Sequence, residues 1–215
     1  MKKNAFTMLE LVLVIVVLGI LAAITIPRLD RDLKQEAADN VLSAIRYTQH
    51  LALNDNKQKF DNKKWQQRFW KIMFAQCSDG KDFYKIGSDD NMDSDGSFSK
   101  DEAALDPSNS KPMYMINSGN CKDSTVSPNI FIGKKYGITN VSGTGGCSST
   151  TASKHIGFDY LGRPHVSFGG SSKPDSSSYM QTECIFTFNL SNGDSFQIRI
   201  QPETGYAYID GQPNS

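Results

Sequence analysis

The order of apolar and polar positions divides the chain into a strongly apolar first segment and a polar remainder. Residues 11–26 form a run of 16 residues without a charge, and extending the run back to Phe6 gives 21 residues. About 20 apolar helical residues are needed to cross the hydrocarbon core of a bilayer. The pattern therefore predicts a transmembrane helix over this run.

Helical periodicity continues beyond the apolar run. Apolar or small side chains recur at spacings of three and four and form one stripe, made by Leu29, Leu33, Ala37, Val41, Ala44, Ile45, Thr48 and Leu51. Pro27 has no backbone N–H and is expected to kink or loosen the helix. We predict one long helix over about residues 6–53, with an amphipathic second half that packs under a folded domain.

Beyond residue 56 the pattern changes to short β-forming runs separated by Gly, Ser, Asn and Pro. The predicted strands are residues 68–76, 113–117, 129–132, 155–158, 184–190, 196–200 and 206–209. Asn192-Gly193 supplies a hairpin turn between two of them. The predicted fold class is α+β, in which a long, partly transmembrane N-terminal helix packs on an antiparallel sheet.

Composition and motifs narrow the function classes. The 23 basic and 23 acidic residues cancel, so no overall field favours nucleic acid or an acidic substrate. Three histidines occur, with neither a metalloprotease motif nor a nucleophile elbow, and we predict that the protein is not an enzyme. Trp65 and Trp70 lie near basic residues, a combination that can bind single-stranded nucleic acid. Packing between helix and sheet explains them as well, so a nucleic-acid partner is not expected.

Glu10 interrupts the apolar segment and needs an explanation. A carboxylate inside a membrane span costs roughly 2.5–3.5 kcal/mol and usually marks a functional site. An ordinary secretory signal would carry its cleavage site after the apolar run, whereas here the polar junction precedes it. A plain signal anchor, oriented by Lys2 and Lys3, is physically sound but leaves Glu10 without a role.

The segment from Ala5 and Phe6 through Glu10 to Pro27 closely resembles the class III signal of type IV prepilins and type II secretion pseudopilins. The resemblance implies cleavage between Ala5 and Phe6 and methylation of the new amine. It also implies that Glu10, the fifth residue of the mature chain, pairs with the Phe6 amine of a neighbouring subunit. The family usually has Gly before the cut, where this chain has Ala5.

Two C-terminal segments, residues 156–164 and 198–206, loosely resemble the closing turn and hairpin of minor pseudopilins. The resemblance implies a structural subunit of a secretion pseudopilus or type IV pilus. It implies single-pass insertion in the bacterial inner membrane, with the C-terminal domain in the periplasm. The implied partners are other pilin subunits, the prepilin peptidase and inner-membrane lipid. A DNA- or surface-binding minor pilin is the alternative, with Arg163 and Lys173 as contact residues.

This interpretation divides the chain into four parts. Residues 1–5 are the leader and residues 6–27 the transmembrane and filament-core half of the helix. Residues 28–54 are its amphipathic half, and residues 55–215 form the β-rich domain.

The four cysteines are widely spaced and contain no CxxC pair, which argues against a zinc ribbon. An even number on an exported domain predicts two disulfides. Three pairings are possible. We favour Cys77–Cys184 with Cys121–Cys147, because the latter two bracket one loop region.

Residues 91–102 resemble a calcium-binding EF-hand loop in register. Oxygen-bearing side chains stand at the ligand positions, and they belong to Asn91, Asp93, Asp95, Ser97, Ser99 and Glu102. Asn91 replaces the usual Asp at the first position, which lowers the ligand charge. No flanking helices fit, so we predict an isolated calcium loop. A solvated acidic loop is the other interpretation, since these residues are common in turns.

Overall fold

The computed structural model describes residues 8–59, 61–93, 97–147, 154–169 and 172–212, and only the backbone of residues 22–32. A long helix, α1 (Met8–Asn54), comes first. A short helix, α2 (Ile132–Tyr136), lies in the middle of the chain. The described residues also contain four 3-10 turns, at Trp65–Arg68, Lys100–Glu102, Pro128–Ile130 and Ser176–Ser178.

The described residues contain eight strands in two antiparallel sheets. In chain order they are β1 (Trp70–Gln76), β2 (Asp82–Gly87), β3 (Ile138–Gly145), β4 (Lys154–Phe158), β5 (Pro164–His165), β6 (Cys184–Leu190), β7 (Ser195–Ile200) and β8 (Ala207–Ile209). One sheet has the order β2-β1-β4-β5 and the other the order β3-β6-β7-β8. The predicted hairpin is confirmed, because β6 pairs with β7 from Cys184↔Ile200 to Asn189↔Ser195.

The main core lies between the second half of α1 and the two sheets. Ala37, Val41 and Ile45 are fully buried, at spacings of four that place them on one helix face. This face contacts β1 and β4 of one sheet and β7 and β8 of the other. The predicted stripe is thus confirmed from Ala37 onwards, whereas Leu33 is 37% exposed.

The predicted fold class is wrong in its β part, because the domain is mostly β with two sheets rather than one. β2 is buried along its whole length and therefore shows no alternation to detect. β3 is rich in Gly, Ser and Thr, which are weak or ambiguous strand signals. Residues 129–132 are not extended: the 3-10 turn ends at Ile130 and α2 begins at Ile132, with Pro128 opening the turn where its missing N–H is tolerated.

The predicted transmembrane helix and the single-pass inner-membrane location are also contradicted. Among the described residues, no helix combines the length and apolar character needed to cross a membrane.

Two disulfides are present, as predicted, but their pairing differs from the one favoured above. Cys77 is bonded to Cys121, and Cys147 to Cys184. The topology explains the second bond. Gly145 at the end of β3 pairs with Cys184 at the start of β6, so Cys147 lies beside Cys184. Cys77 directly follows β1, which belongs to the other sheet, and this separates it from Cys184.

Candidate functional site

The first described turns of α1 carry a continuous apolar surface. Every large apolar side chain from Met8 to Leu21 is exposed, with exposed fractions from 46% for Val14 to 85% for Met8. The exposure extends around the whole helix and is not confined to one stripe. Monomeric soluble proteins rarely expose apolar surfaces of this size, and such surfaces mark sites of association.

Glu10 is the single charged residue of this apolar segment. It lies in the first turn of α1 and is exposed. A carboxylate there is favoured by the positive end of the helix dipole. Ala5 and Phe6 lie outside the described residues, as does the side chain of Pro27, although α1 continues through that position. The pairing between Glu10 and a neighbouring Phe6 amine stays a prediction.

The first of the two family-like C-terminal segments forms a tight turn around Asp159. Its Oδ1 accepts hydrogen bonds from the backbone N–H groups of Leu161 (3.0 Å) and Arg163 (2.9 Å). Its Oδ2 accepts from Arg163 Nε at 2.8 Å. Gly162 has φ +78°, a conformation that favours glycine.

The second family-like segment meets the first at the C-terminal part of α1. Gln49 Nε2 donates to the carbonyl oxygens of Gly162 and Thr204, both at 2.8 Å. A Cβ on Gly205 would lie 2.5 Å from the Gly162 carbonyl oxygen, so the approach requires glycine. The two segments therefore form one junction, which fixes α1 to both sheets.

Three buried side chains, those of Ser178, His165 and Asp159, lie together next to the turn around Asp159. His165 Nδ1 is 2.8 Å from Ser178 Oγ, and His165 Nε2 is 3.5 Å from Asp159 Oδ2. All three are at most 3% exposed, and the Ser178 hydroxyl donates to the Asp175 carbonyl at 2.7 Å. A buried hydroxyl that already donates elsewhere is not a nucleophile, so we assign these side chains a packing role. That the protein is not an enzyme stays a prediction.

The candidate calcium ligands that the structure describes already hold other hydrogen-bond partners. Glu102 Oε1 accepts from the Asn91 N–H (3.2 Å), and Oε2 accepts from the Ser99 N–H and hydroxyl (both 2.9 Å). Burial would raise the pKa of Glu102, but these hydrogen bonds lower it below its usual value. Ser97 Oγ accepts from the Lys85 ammonium group at 3.2 Å. Asp93 donates its N–H to Asn91 Oδ1, and Asp95 lies outside the described residues.

Calcium binding by this loop therefore stays a prediction, and we expect it to be weak. The ion must displace Lys85 from Ser97 and two N–H groups from Glu102. The expected dissociation constant is in the range of extracellular calcium modules, about 10⁻⁴–10⁻³ M. Titration calorimetry measures it, with Lys85→Met expected to tighten binding and Glu102→Gln to abolish it. Submicromolar binding, or the absence of binding at millimolar calcium, would contradict this expectation.

The aromatic and basic residues near the end of α1 do not form an open surface. Trp65 packs with Phe69 and Phe168 in a small second core. Trp70 Nε1 donates to Asp55 Oδ2 at 3.1 Å, and Arg68 pairs with Asp90 at 3.3 Å. These contacts favour the packing interpretation over a nucleic-acid surface.

The sequence interpretation missed Lys71, which is 0% exposed. Its neighbours Trp70 and Ile72 suggest a strand with one apolar face, so Lys71 is expected in water on the other. The small second core covers that other face instead. The Nζ atom of Lys71 donates to the Gln67 carbonyl at 2.8 Å and lies 5.5 Å from the centre of the Phe168 ring.

Cys77, Asp79 and Cys121 form a group with metal-ligand spacing. Both sulfurs belong to one disulfide, and a metal needs thiolates. Asp79 Oδ2 instead accepts the Cys121 N–H at 3.2 Å. The group thus closes a loop and does not offer a metal site.

Comparison with known proteins identifies no relative: no family model, no curated protein and no solved structure matches this chain. The likeness to pilins thus rests on the N-terminal motif and the two short C-terminal segments.

Proposed function

We propose that the protein is a minor pilin or pseudopilin, a structural subunit that assembles into a filament through the first part of α1. The observation that supports this proposal most is the exposed apolar segment of residues 8–21 with Glu10 in its first turn. This arrangement suits a helix that other subunits surround.

The second half of α1 provides the rigid connection that such a subunit needs. Its buried face lies in the main core, and two polar side chains attach its outer face to the last strands. Arg46 Nη2 donates to the Ala207 carbonyl at 2.8 Å, and Gln49 bonds both closing turns. The domain is therefore held on the same helix that carries the apolar segment.

In the proposed assembly, cleavage of the N-terminal leader controls whether subunits associate. Cleavage after Ala5 leaves a positively charged amine on Phe6, and Glu10 carries the opposite charge. Within an apolar bundle, an ion pair between neighbouring subunits offsets the cost of burying each charge, whereas a single charge would not be offset. The proposed partners are other pilin-type subunits and the prepilin peptidase.

The alternative of a DNA-binding minor pilin has weaker support. Arg163, one of its two expected contact residues, forms an ion pair with Asp159 at 2.7 Å and donates to the Tyr179 hydroxyl at 2.8 Å. Its charge is thus balanced within the domain. Lys173 is exposed but belongs to no basic cluster that the structure shows.

The test compares the association of two chains by sedimentation and electron microscopy. The processed chain, beginning at Phe6, is expected to associate, whereas a chain beginning at residue 22 is expected to remain monomeric with an unchanged Tm. An unchanged Tm is expected because the described side chains of the removed segment lie in water. Equal association of the two chains would contradict the proposal.

A further inference from the structure

A cleft of about 390 Å³ lies beside the junction of the two family-like C-terminal segments. Three parts of the chain line it, and the lining residues are Arg163, Pro164, Tyr179, Met180, Gln181 and Glu203. Three of these side chains end in planar polar groups, and the other three add aliphatic or aromatic surface. The cleft lies within the folded domain, and none of its residues belongs to the proposed assembly segment.

Arg163 supplies hydrogen-bond donors that are fixed in position. Its Nε and Nη2 atoms lie 2.8 and 2.7 Å from Asp159 Oδ2, and Nη2 also donates to the Tyr179 hydroxyl at 2.8 Å. The guanidinium carbon lies 4.7 Å from the centre of the Tyr179 ring. Among the described residues, none accepts a hydrogen bond from the remaining nitrogen, Nη1, and the side chain is 37% exposed. Nη1 is therefore available to donate to a ligand.

Asp159 balances the charge of Arg163 from the buried side. Asp159 is 3% exposed. Burial would raise the pKa of Asp159, but hydrogen bonds from His165 and Arg163 hold this pKa below its usual value. The carboxylate thus stays ionised at neutral pH, and the ion pair has no net charge. Arg163 therefore offers N–H donors to a ligand without a strong preference for a free anion.

Glu203 adds an accessible acceptor to the same cleft. The residue is exposed, and no hydrogen bond or ion pair within the described part of the chain involves its carboxylate. Its backbone has φ +66°, a left-handed conformation that only glycine adopts without strain. Strained residues of this kind are concentrated at functional sites. Gln181 is exposed as well and adds an amide, whose Nε2 donates to the Tyr179 carbonyl at 3.3 Å and leaves its oxygen as an acceptor.

We propose that this cleft binds a neutral saccharide through neighbouring hydroxyl groups. Each hydroxyl group both donates and accepts, so one ligand satisfies the donors of Arg163 and the acceptors of Glu203 and Gln181 together. Planar groups such as guanidinium and carboxylate can form two parallel hydrogen bonds, which suits a pair of adjacent hydroxyls. The C–H groups of a sugar ring suit Pro164 and Met180.

Other ligand classes fit the cleft less well. An anion would use Arg163 but would be repelled by the unpaired carboxylate of Glu203. A cation would use Glu203 but would leave the donors of Arg163 without a partner. The volume lies within the range of small-ligand sites, about 300–1,000 Å³. The site is independent of the proposed filament assembly, because it uses only residues of the domain.

The experiment titrates the full chain with four disaccharides and follows binding by calorimetry and NMR. The probes are cellobiose, maltose, lactose and N,N′-diacetylchitobiose. We expect at least one to bind saturably with a dissociation constant below about 10 mM and to shift the side-chain amide signals of Gln181. Acetate and the zwitterion glycylglycine should bind at least tenfold more weakly. Equal binding of either charged probe, or no saturable binding of any disaccharide at about 50 mM, would overturn the proposal.

Two glycine variants separate binding from stability. Glu203→Gly removes the carboxylate and relieves the backbone strain, so we expect it to lower the sugar affinity at least tenfold and to raise the Tm by about 2–4 °C. Ser167→Gly is the matched control, since Ser167 is exposed, has φ +56° and lies outside the cleft. It should raise the Tm similarly and keep the affinity. Wild-type affinity in Glu203→Gly, or an equal loss in Ser167→Gly, would contradict a site at Glu203.

Discussion

Replacing Cys147 and Cys184 together by alanine is expected to lower the free energy of unfolding by about 4 kcal/mol. The bond closes a loop with a sequence separation of 37 residues and joins the loop after β3 to the start of β6. Its removal restores that loop's freedom to the unfolded chain. Urea unfolding of the oxidised variant and of the wild type measures the difference.

The same variant tests the pairing. If Cys77 is bonded to Cys121, the variant contains no free thiol, and a thiol titration of the unfolded protein reads zero. The opposite pairing, Cys77 with Cys184, would leave two free thiols and contradict the structure. The Cys77→Ala and Cys121→Ala double variant is the matched control, with a loss of similar size expected because its sequence separation is 44.

Lys71→Met, in contrast to the loss of a disulfide, is expected to stabilise the protein. We expect it to raise the free energy of unfolding by about 2 kcal/mol at pH 7. Burial lowers the pKa of Lys71 from 10.5 to about 7, while Asp89 acts against that shift. Each pKa unit corresponds to ~1.4 kcal/mol, which sets an upper limit of ~5 kcal/mol. The lost bond to the Gln67 carbonyl and the lost attraction to Asp89 reduce the gain.

The pH dependence of this effect follows from which state binds more protons. Between about pH 7 and pH 10.5 the unfolded chain keeps a proton on Lys71 that the folded chain has lost. The contribution of this lysine to stability therefore rises with pH over that window. The advantage of Lys71→Met should be largest at or below pH 7 and should shrink towards pH 10.

Denaturant unfolding at several pH values checks this expectation, with Lys173→Met as the matched control. Lys173 is exposed, so its replacement should change stability by less than about 0.5 kcal/mol. An advantage of Lys71→Met that grows above pH 9, or a loss of stability at pH 7, would show that the ammonium group is well compensated where it lies.

Much of the fold could be predicted where local pattern and tertiary burial agree. The stripe from Ala37 to Ile45 and the alternation from Cys184 to Leu190 each show one buried face, and both elements form as expected. β2 could not be predicted because both of its faces are buried. The transmembrane prediction is contradicted, because no helix among the described residues is long and apolar enough to cross a membrane.

The candidate site could likewise be predicted from the sequence only in part. Glu10 could be recognised from sequence because a carboxylate stands out in an apolar run. The junction at Gln49 could not, since Gly162 and Thr204 lie 113 and 155 positions away along the chain and only the fold brings them to this helix. Lys71 was missed because a second, smaller core covers the strand face that the pattern assigns to water.

The most direct test of the proposed function measures the association of the processed chain with Glu10 replaced by Gln. The Gln side chain keeps the size and removes the charge that would pair with the Phe6 amine. We predict that Glu10→Gln lowers association at least tenfold in sedimentation and forms no filaments. Asp39→Asn, which removes an exposed charge further along the same helix, should associate as the wild type does. Wild-type association of Glu10→Gln would contradict the proposed ion pair and leave apolar contact alone as the cause of assembly.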